Sequence, residues 1–432
     1  MAMYVRSFTK AKIRKNCYLC KAKRRSMNTE ALRCLLCKKP KCSLQGCPVH
    51  TDVPSAMLLY KEGKLEEAGK LLFERNPLSA VTSRVCDWKQ FCYGACILNV
   101  KQVPVKWYEI EQEISSAYLD KVSLKAENDR LSGRRFALVG AGPVGIAASV
   151  WLRCAGAEVH LYDANPRIGG VLRYGIPSFR LDKALVDRYE KILLEGGVVF
   201  HGGVAIGKDL TLKELAESFD AVILGAGAEK PSRLRIPGEE RAVEALPYLK
   251  NPEAYSLGRK VIVIGGGNVA MDACRTAVRS GAETWVYYRK TFENMPANPL
   301  EVEEAKADGV KFKVFQAPVE VHEGGVVFCD CENVTDPLSG KVVTKILEGT
   351  EHFVPCDTLI TAISEKPDFS LYNGLEAEFG PDAWPVLDAD GRVHGPDNVY
   401  SAGDFAMGPK TVVEAVASAR RSVDAIIERY GE

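Results

Sequence analysis

Two stretches of this chain repeat one pattern: a short apolar run, a glycine-rich turn, an amphipathic helix and a second apolar run. Phe136 to Asp163 is the first and Lys260 to Arg289 the second, and their leading glycines, Gly140 and Gly265, stand 125 residues apart. Short apolar runs alternating with helical patterns indicate βαβ units and a parallel sheet. A chain with two such units is built to bind two nucleotides. The block before them, residues 1–125, is Cys-rich and shows helical apolar spacing at Val53 to Phe73 and Tyr108 to Tyr118. Within the second unit, Val314 to Pro355 alternates like strands between Gly, Asp and Ser turns and predicts a β-meander. A length of 432 residues accommodates two or three domains with their own cores.

The first turn, Gly140-Ala-Gly142-Pro143-Val-Gly145, has the G-x-G-x-x-G form between a strand and a helix. Only glycine allows the tight turn and lets backbone N–H groups approach a pyrophosphate at the helix N-terminus. The second strand of this unit ends in Asp163, 23 residues after Gly140, placed to accept bonds from an adenosine ribose. In the second unit, Gly265-Gly-Gly267-Asn268-Val269-Ala270 is the variant with Ala at the third position. Its second strand ends in Arg289-Lys290 where the first has an acid. Two cations there can pair with a 2′-phosphate and favour NADPH over NADH; the plain alternative is a pair of solvated strand-end residues.

Charge is uneven along the chain. The formal total is +1, yet residues 1–50 hold 13 Lys or Arg against Glu30 alone, a net +12, and the other 382 residues hold 44 basic and 55 acidic ones, a net −11. The basic end can meet nucleic acid or an acidic protein surface, or balance buried anions. Aromatic residues are sparse there (Tyr4, Phe8, Tyr18), which argues against nucleic acid. A content of 46% hydrophobic and 26% charged residues excludes collagen-like, coiled-coil and disordered classes. Apolar runs such as Val261 to Ile264 fall far short of the roughly 18 residues of a membrane span. Met1 to Lys15 lacks the apolar core of a secretory signal, so a cytoplasmic, reducing setting is expected, in which cysteines serve as ligands or thiols.

Nine of the 14 cysteines lie in residues 1–96. Cys34-x2-Cys37-x4-Cys42-x4-Cys47-Pro48 is followed by Cys86-x5-Cys92-x3-Cys96, spacings that fit matched zinc-ribbon pairs poorly. Clustered thiolates ending in Cys-Pro resemble iron–sulfur ligation, where the last cysteine of a run often serves a different cluster. Seven cysteines suffice for one four-iron cluster and three ligands of another, leaving the eighth position to a different side chain. Structural zinc or buried free thiols is the alternative.

These cysteines, the two glycine turns, and Val399-Tyr-Ser-Ala-Gly403-Asp404 followed by Lys410-Thr411-Val412 together resemble the glutamate synthase small-subunit family. The same module forms the N-terminal half of dihydropyrimidine dehydrogenase and the large subunit of NADH-dependent ferredoxin:NADP oxidoreductase. The resemblance runs from about Leu32 to Tyr430. It implies an α/β fold: two Rossmann-like dinucleotide-binding domains preceded by a small all-α domain ligating iron–sulfur clusters. The domains would be 1–125, helical and iron–sulfur-binding with a basic extension; 126–248 with 371–432, FAD-binding; and 249–370, NAD(P)H-binding.

The resemblance further assigns Cys34, Cys37, Cys42 and Cys96 to one [4Fe–4S] cluster and Cys47, Cys86 and Cys92 to a second, completed by Glu111 or, failing that, Gln112. It places FAD at Gly140, Gly142, Pro143, Gly145, Asp163, Gly170, Leu172, Arg180, Gly403, Asp404, Thr411 and Val412. NADPH would lie at Gly265, Gly267, Asn268, Val269, Arg289 and Lys290. The sequence departs from the family in three places. Four residues rather than three separate Cys42 from Cys47; Ser364 stands where Ala-Ile-Gly is usual; and Cys17-x2-Cys20, read as two thiols because it makes only half a metal site, precedes the family region.

No Ser/His/Asp or Cys/His triad is evident, and the nucleotide units lack the redox C-x-x-C that disulfide reduction needs beside a flavin. The expectation is therefore an electron-input subunit: NADPH to FAD, then two clusters, then a separate FMN/iron–sulfur subunit or ferredoxin, with no membrane or nucleic-acid partner. The equivalent subunit of a dihydropyrimidine dehydrogenase-type complex and a ferredoxin:NADP oxidoreductase subunit are the alternatives. The alternative from outside enzymes is a zinc-stapled nucleotide-sensing module.

Overall fold

The computed structural model describes residues 29–335 and 342–431. Cys17 and Cys20, and with them most of the basic N-terminal stretch, lie outside the described residues. The helical domain is built mainly on helices α1 (Val53–Lys61), α2 (Leu65–Arg75), α3 (Ser79–Val85) and α4 (Trp107–Leu119). Ala56, Met57, Leu72, Ile110 and Ile114 are fully buried where α1, α2 and α4 meet. Leu78 and Val81, by contrast, are buried in the core of the following α/β unit. Two hydrogen bonds fix that joint: Trp151 Nε1 donates to Glu74 O at 2.9 Å and Tyr189 Oη to Pro77 O at 2.8 Å.

The first α/β unit holds a five-stranded, all-parallel sheet in the order β16-β4-β1-β2-β3, with β1 Arg135–Val139, β2 Glu158–Asp163, β3 Val199–Gly202, β4 Ala221–Leu224 and β16 Val399–Ser401. Strand β1 is buried from Phe136 onward and β4 throughout, as expected for parallel strands covered on both faces. Helix α5 (Pro143–Cys154) follows β1, and the C-terminal helix α8 (Val412–Tyr430) packs beside it through Val413, Val416, Ala419, Val423 and Ile426. That spacing of three to four residues puts one apolar stripe on the core.

Between β4 and β16 the chain builds a second parallel sheet, β6-β14-β7-β8-β9, from β6 Val243–Glu244, β7 Lys260–Ile264, β8 Glu283–Tyr288, β9 Lys311–Val314 and β14 Thr358–Thr361. Helices α6 (Asn268–Arg279) and α7 (Pro299–Ala307) cover one face. The expected meander is present: β10 Gln316–His322, β11 Gly325–Thr335, β12 Val342–Ile346 and β13 His352–Pro355 pair antiparallel. The two passages between units pair as a ribbon, β5 Lys230–Pro231 with β15 Glu365–Lys366. Strand β6 and the buried Ala245, Tyr248 and Leu249 pack with the second unit. Among the described residues no helix is long and apolar enough to cross a membrane.

Ser364, one of the departures from the family pattern, sits between β14 and the ribbon with φ 120°, and its carbonyl accepts from Ser232 N at 3.0 Å. A non-glycine residue in this region costs about 1–3 kcal/mol, against about 0.5–1 kcal/mol of chain entropy that a glycine would add to the unfolded state. Ser364→Gly is therefore expected to stabilise the protein by about 1 kcal/mol, read as a rise in the unfolding midpoint; an unchanged or lower midpoint would contradict this account.

Candidate functional site

Each glycine turn shows the three spatial roles its pattern predicts. Gly140 has φ 101°, and a Cβ there would stand 2.3 Å from Gly225 O. At Gly145 a Cβ would stand 2.1 Å from Gly140 O and 2.9 Å from Leu161 Cδ1, so the helix can close on the strand only without it. Gly142, the N-cap of α5, is different: the nearest atom a Cβ would meet is Gly170 Cα at 3.7 Å. That open space lies over N–H groups at a helix N-terminus, where a pyrophosphate binds. Pro143 occupies the first turn of α5, where its missing N–H is not needed. The second turn repeats the geometry, with Gly265 at φ 146° and 2.1 Å to Ala362 O, Gly267 open to 4.0 Å, and Ala270 fully buried. Both turns therefore fit a dinucleotide: a side chain would fill the cradle in each.

Asp163 does more than end its strand. Its Oδ2 accepts from Ala141 N at 2.7 Å, bracing the glycine turn, and its Oδ1 accepts from Asn165 N at 2.7 Å. Gly170, at φ 49°, lies against Gly142, and Leu172 beyond it is fully buried. On the far side of the turn, Gly403 N donates to Ser418 Oγ at 2.7 Å. Burial pushes the Asp404 carboxyl up to about 6 while it accepts from Lys410 N at 3.1 Å. Thr411 caps α8 in a reciprocal box with Glu414, and Val412 opens that helix. In the second unit Asn268 Oδ1 accepts from Asn298 N at 2.9 Å, tying the turn holding Asn268 and Val269 to α7. Arg289 is exposed and Lys290 half-buried, and among the described residues neither has an ion-pair partner, which leaves two cations for an anion.

Arg180 is the predicted site residue with unexpected partners. Its guanidinium reaches into the second unit, to Asp272 and Glu301. Sequence reasoning missed both acids and also Lys183, whose Nζ donates to the carbonyls of Leu172 at 2.7 Å and of Ile176. Burial pushes the Lys183 amine down to about 8. No local pattern marks these three residues, because their partners are distant in the chain or are backbone groups.

The cysteines form two adjacent groups. Cys34, Cys37, Cys42 and Cys96 line one cavity, walled by Leu98, Val105 and Trp107, which Cys92 of the other group also reaches. Cys47, Cys86 and Cys92 all feel the charge of Glu111 on α4, and Cys92 also feels Cys42 of the first group. Burial raises the Cys34 thiol, moderated by the Leu36 N–H, and raises those of Cys47, Cys86 and Cys92. It also pushes the Glu111 carboxyl up to about 8. Three thiols and a carboxyl, held toward their neutral forms by burial, are thus gathered together, a donor set that suits metal. Gln112 turns away, its side-chain amide lying against the Arg84 guanidinium. Among the described residues no three His, Cys, Asp or Glu converge on one metal ion.

Comparison with known proteins places this geometry. Residues 11–122 match the family described as dihydropyrimidine dehydrogenase domain II, 4Fe-4S cluster, and residues 199–419 match pyridine nucleotide-disulphide oxidoreductase. The chain is 34% identical to the glutamate synthase [NADPH] small chain of Azospirillum brasilense, over 92% of this chain and 88% of that protein. It is 32% identical to the Escherichia coli K12 protein of the same description, over 92% and 90%. Mycobacterium tuberculosis FprA in complex with NADPH shares the fold at a TM-score of 0.58 and 21% identity, over 68% of this chain and 84% of that one.

The glycine roles are separable by substitution. Gly145→Ala is expected to destabilise the fold by about 1–3 kcal/mol through overpacking. Gly142→Ala should leave unfolding of the dinucleotide-free chain unchanged yet lower bound dinucleotide about tenfold, since only the cradle is filled. Equal loss of stability in both variants would refute the distinction.

Proposed function

Because the chain belongs to the glutamate synthase small-chain family, we propose that it is the NADPH-oxidising input of a larger electron-transfer enzyme, taking electrons through FAD and two [4Fe–4S] clusters to a separate acceptor protein. The observation that carries this reading is the succession of two open phosphate cradles and two thiol groups along one chain. When bound, the flavin would convert a hydride pair into single electrons and the clusters would relay them.

The residues divide that work. Gly142 and Gly170 admit the FAD pyrophosphate, Asp163 faces its ribose, and Gly403, Asp404 and the N-terminus of α8 at Thr411 and Val412 close over the flavin side. Gly267, Asn268 and Val269 admit the nicotinamide dinucleotide, and Arg289 and Lys290 select NADPH by its 2′-phosphate. Cys34, Cys37, Cys42 and Cys96 would hold one cluster, and Cys47, Cys86, Cys92 and Glu111 the other. Thiolate and carboxylate ligation would lift the uncompensated burial that raises these groups in the metal-free chain.

Anaerobic purification with iron, zinc, sulfide and flavin analysis tests the reading: about eight irons and one FAD per chain are expected, bleached by NADPH in preference to NADH. Zinc without flavin would replace it with a nucleotide-sensing module. Hydrogen bonds to charged groups contribute about 1.5–3 kcal/mol, so Arg289→Ala with Lys290→Ala should raise the NADPH KM by a factor of about 100 or more and leave the NADH KM unchanged. A matching rise for NADH would remove the 2′-phosphate role.

A further inference from the structure

Residues 170–183 form a strap between the two α/β units. At one end Gly170 packs over the first phosphate turn, so closely that a Cβ on it would stand 2.6 Å from Gly142 Cα. Lys183 gathers the middle by donating to the carbonyls of Leu172 and Ile176. At the other end the strap meets α6, the helix that opens at the second phosphate turn. The contact is ionic. Arg180 Nη1 donates to both Asp272 oxygens at 2.8 and 2.7 Å, and Arg180 Nη2 lies 2.5 Å from Glu301 Oε1. Arg275, one turn along α6 from Asp272, donates to Glu301 at 3.1 Å, to Glu304 at 2.7 Å and to Asp308 at 2.7 Å. The Phe179 ring lies under Arg275 and Arg279, 4.9 and 4.0 Å from their guanidinium carbons.

The centre of this network is buried: Asp272, Arg275 and Glu301 are 4%, 5% and 7% exposed. Arg180, Arg275 and Arg279 meet Asp272, Glu301, Glu304 and Asp308, with Arg279 and Glu304 at its partly exposed rim. Buried ion pairs contribute little net stability compared with apolar packing, but they admit one geometry, because any displacement leaves a charge uncompensated. A seam of this kind therefore sets position. Hydride transfer between two bound dinucleotides is the step that depends on position, since a misplacement of about 1 Å can cost about 100-fold in rate.

We propose that Arg180, clamped by Asp272 and Glu301, is a positioning residue that fixes how the second unit presents its nicotinamide to the flavin of the first. Its guanidinium is taken up by carboxylates of the second unit, so its influence on the flavin side runs through the strap. The proposal rests on the cofactor reading given above.

Asp272→Asn and Glu301→Gln each remove one anchor without touching either phosphate turn. Rapid mixing of the anaerobic holoprotein with NADPH should show the saturating rate of flavin reduction reduced about tenfold or more in each variant. Flavin content and the NADPH concentration for half-saturation should stay within about twofold of wild type, and Asp272→Glu should recover part of the rate. In the flavin-free chain, amide exchange of residues 176–181 should be about tenfold faster in Asp272→Asn than in wild type. Saturating rates within twofold of wild type in both variants, or unchanged exchange of the strap, overturn the proposal. So does a loss of rate that only follows loss of bound flavin. Should Asp272→Asn fail to fold, Glu301→Gln, which leaves Arg180 its Asp272 partner, carries the same comparison. A wild-type chain that binds no flavin overturns the cofactor reading and the proposal with it; a normally reduced wild type beside equally fast variants overturns the proposal alone.

Discussion

The pairing of β16 with β4 holds the rest of the structure in place. Until the chain returns from the second unit, β4 is an open edge and α5 lacks the helix that seals it. An unpaired edge in a fully apolar strand such as Ala221–Leu224 is a liability, so the first unit is complete only when the second has been made and the chain has come back. Both passages then leave the same edge region and pair as the β5–β15 ribbon. The second unit is thereby tethered at two points. A double tether limits rotation without fixing it, and the remaining freedom is what a buried ionic seam such as Arg180 with Asp272 and Glu301 can remove.

Charge is managed in opposite ways at the different sites. The network on α6 pairs its guanidiniums with carboxylates. In the cysteine groups burial raises the thiols and Glu111 and so favours their neutral, protonated forms. At the end of β8, Arg289 and Lys290 lack a carboxylate partner among the described residues. A paired network needs no ligand, whereas buried or exposed charge of one sign is stabilised by one of the opposite sign.

The features legible in the sequence are those whose physics is local. A glycine turn between a strand and a helix is readable because steric demand falls on residues five apart, and Gly140, Gly142 and Gly145 occupy the three roles expected of them. The cysteine run is a local pattern, whereas spacing alone does not single out Glu111, since a carboxylate on a helix is commonplace; Glu111 is proposed on the resemblance, and its burial beside Cys47, Cys86 and Cys92 is visible only in the structure. What escaped was long-range. Arg180 and Asp272 are 92 residues apart, so no periodicity relates them. Strand β6 is not legible either, because a two-residue strand has no pattern of its own. Ser364 was noticed as a departure from the family, yet only the backbone reveals its φ of 120°, the conformation for which glycine is usual.

The three parts of the chain also touch in a particular order. The helical domain rests on the first α/β unit, through Trp151 to Glu74, Tyr189 to Pro77 and the shared burial of Leu78 and Val81. The first unit in turn meets the second at the strap. Within the helical domain the Cys47 group adjoins the Cys34 group through the proximity of Cys92 to Cys42. Exposed Leu35 and Ile97 line the cavity of the Cys34 group. Electron transfer through the proposed relay is sensitive to the two joints, and they are built differently. The joint between the helical domain and the first unit is an apolar core that resists movement in every direction. The joint between the two dinucleotide units is a ribbon, an ionic seam and the contacts of Lys250 with Asn165 and the Tyr174 ring, a more polar construction, and in the proposed reading it lies where a nicotinamide would approach the flavin.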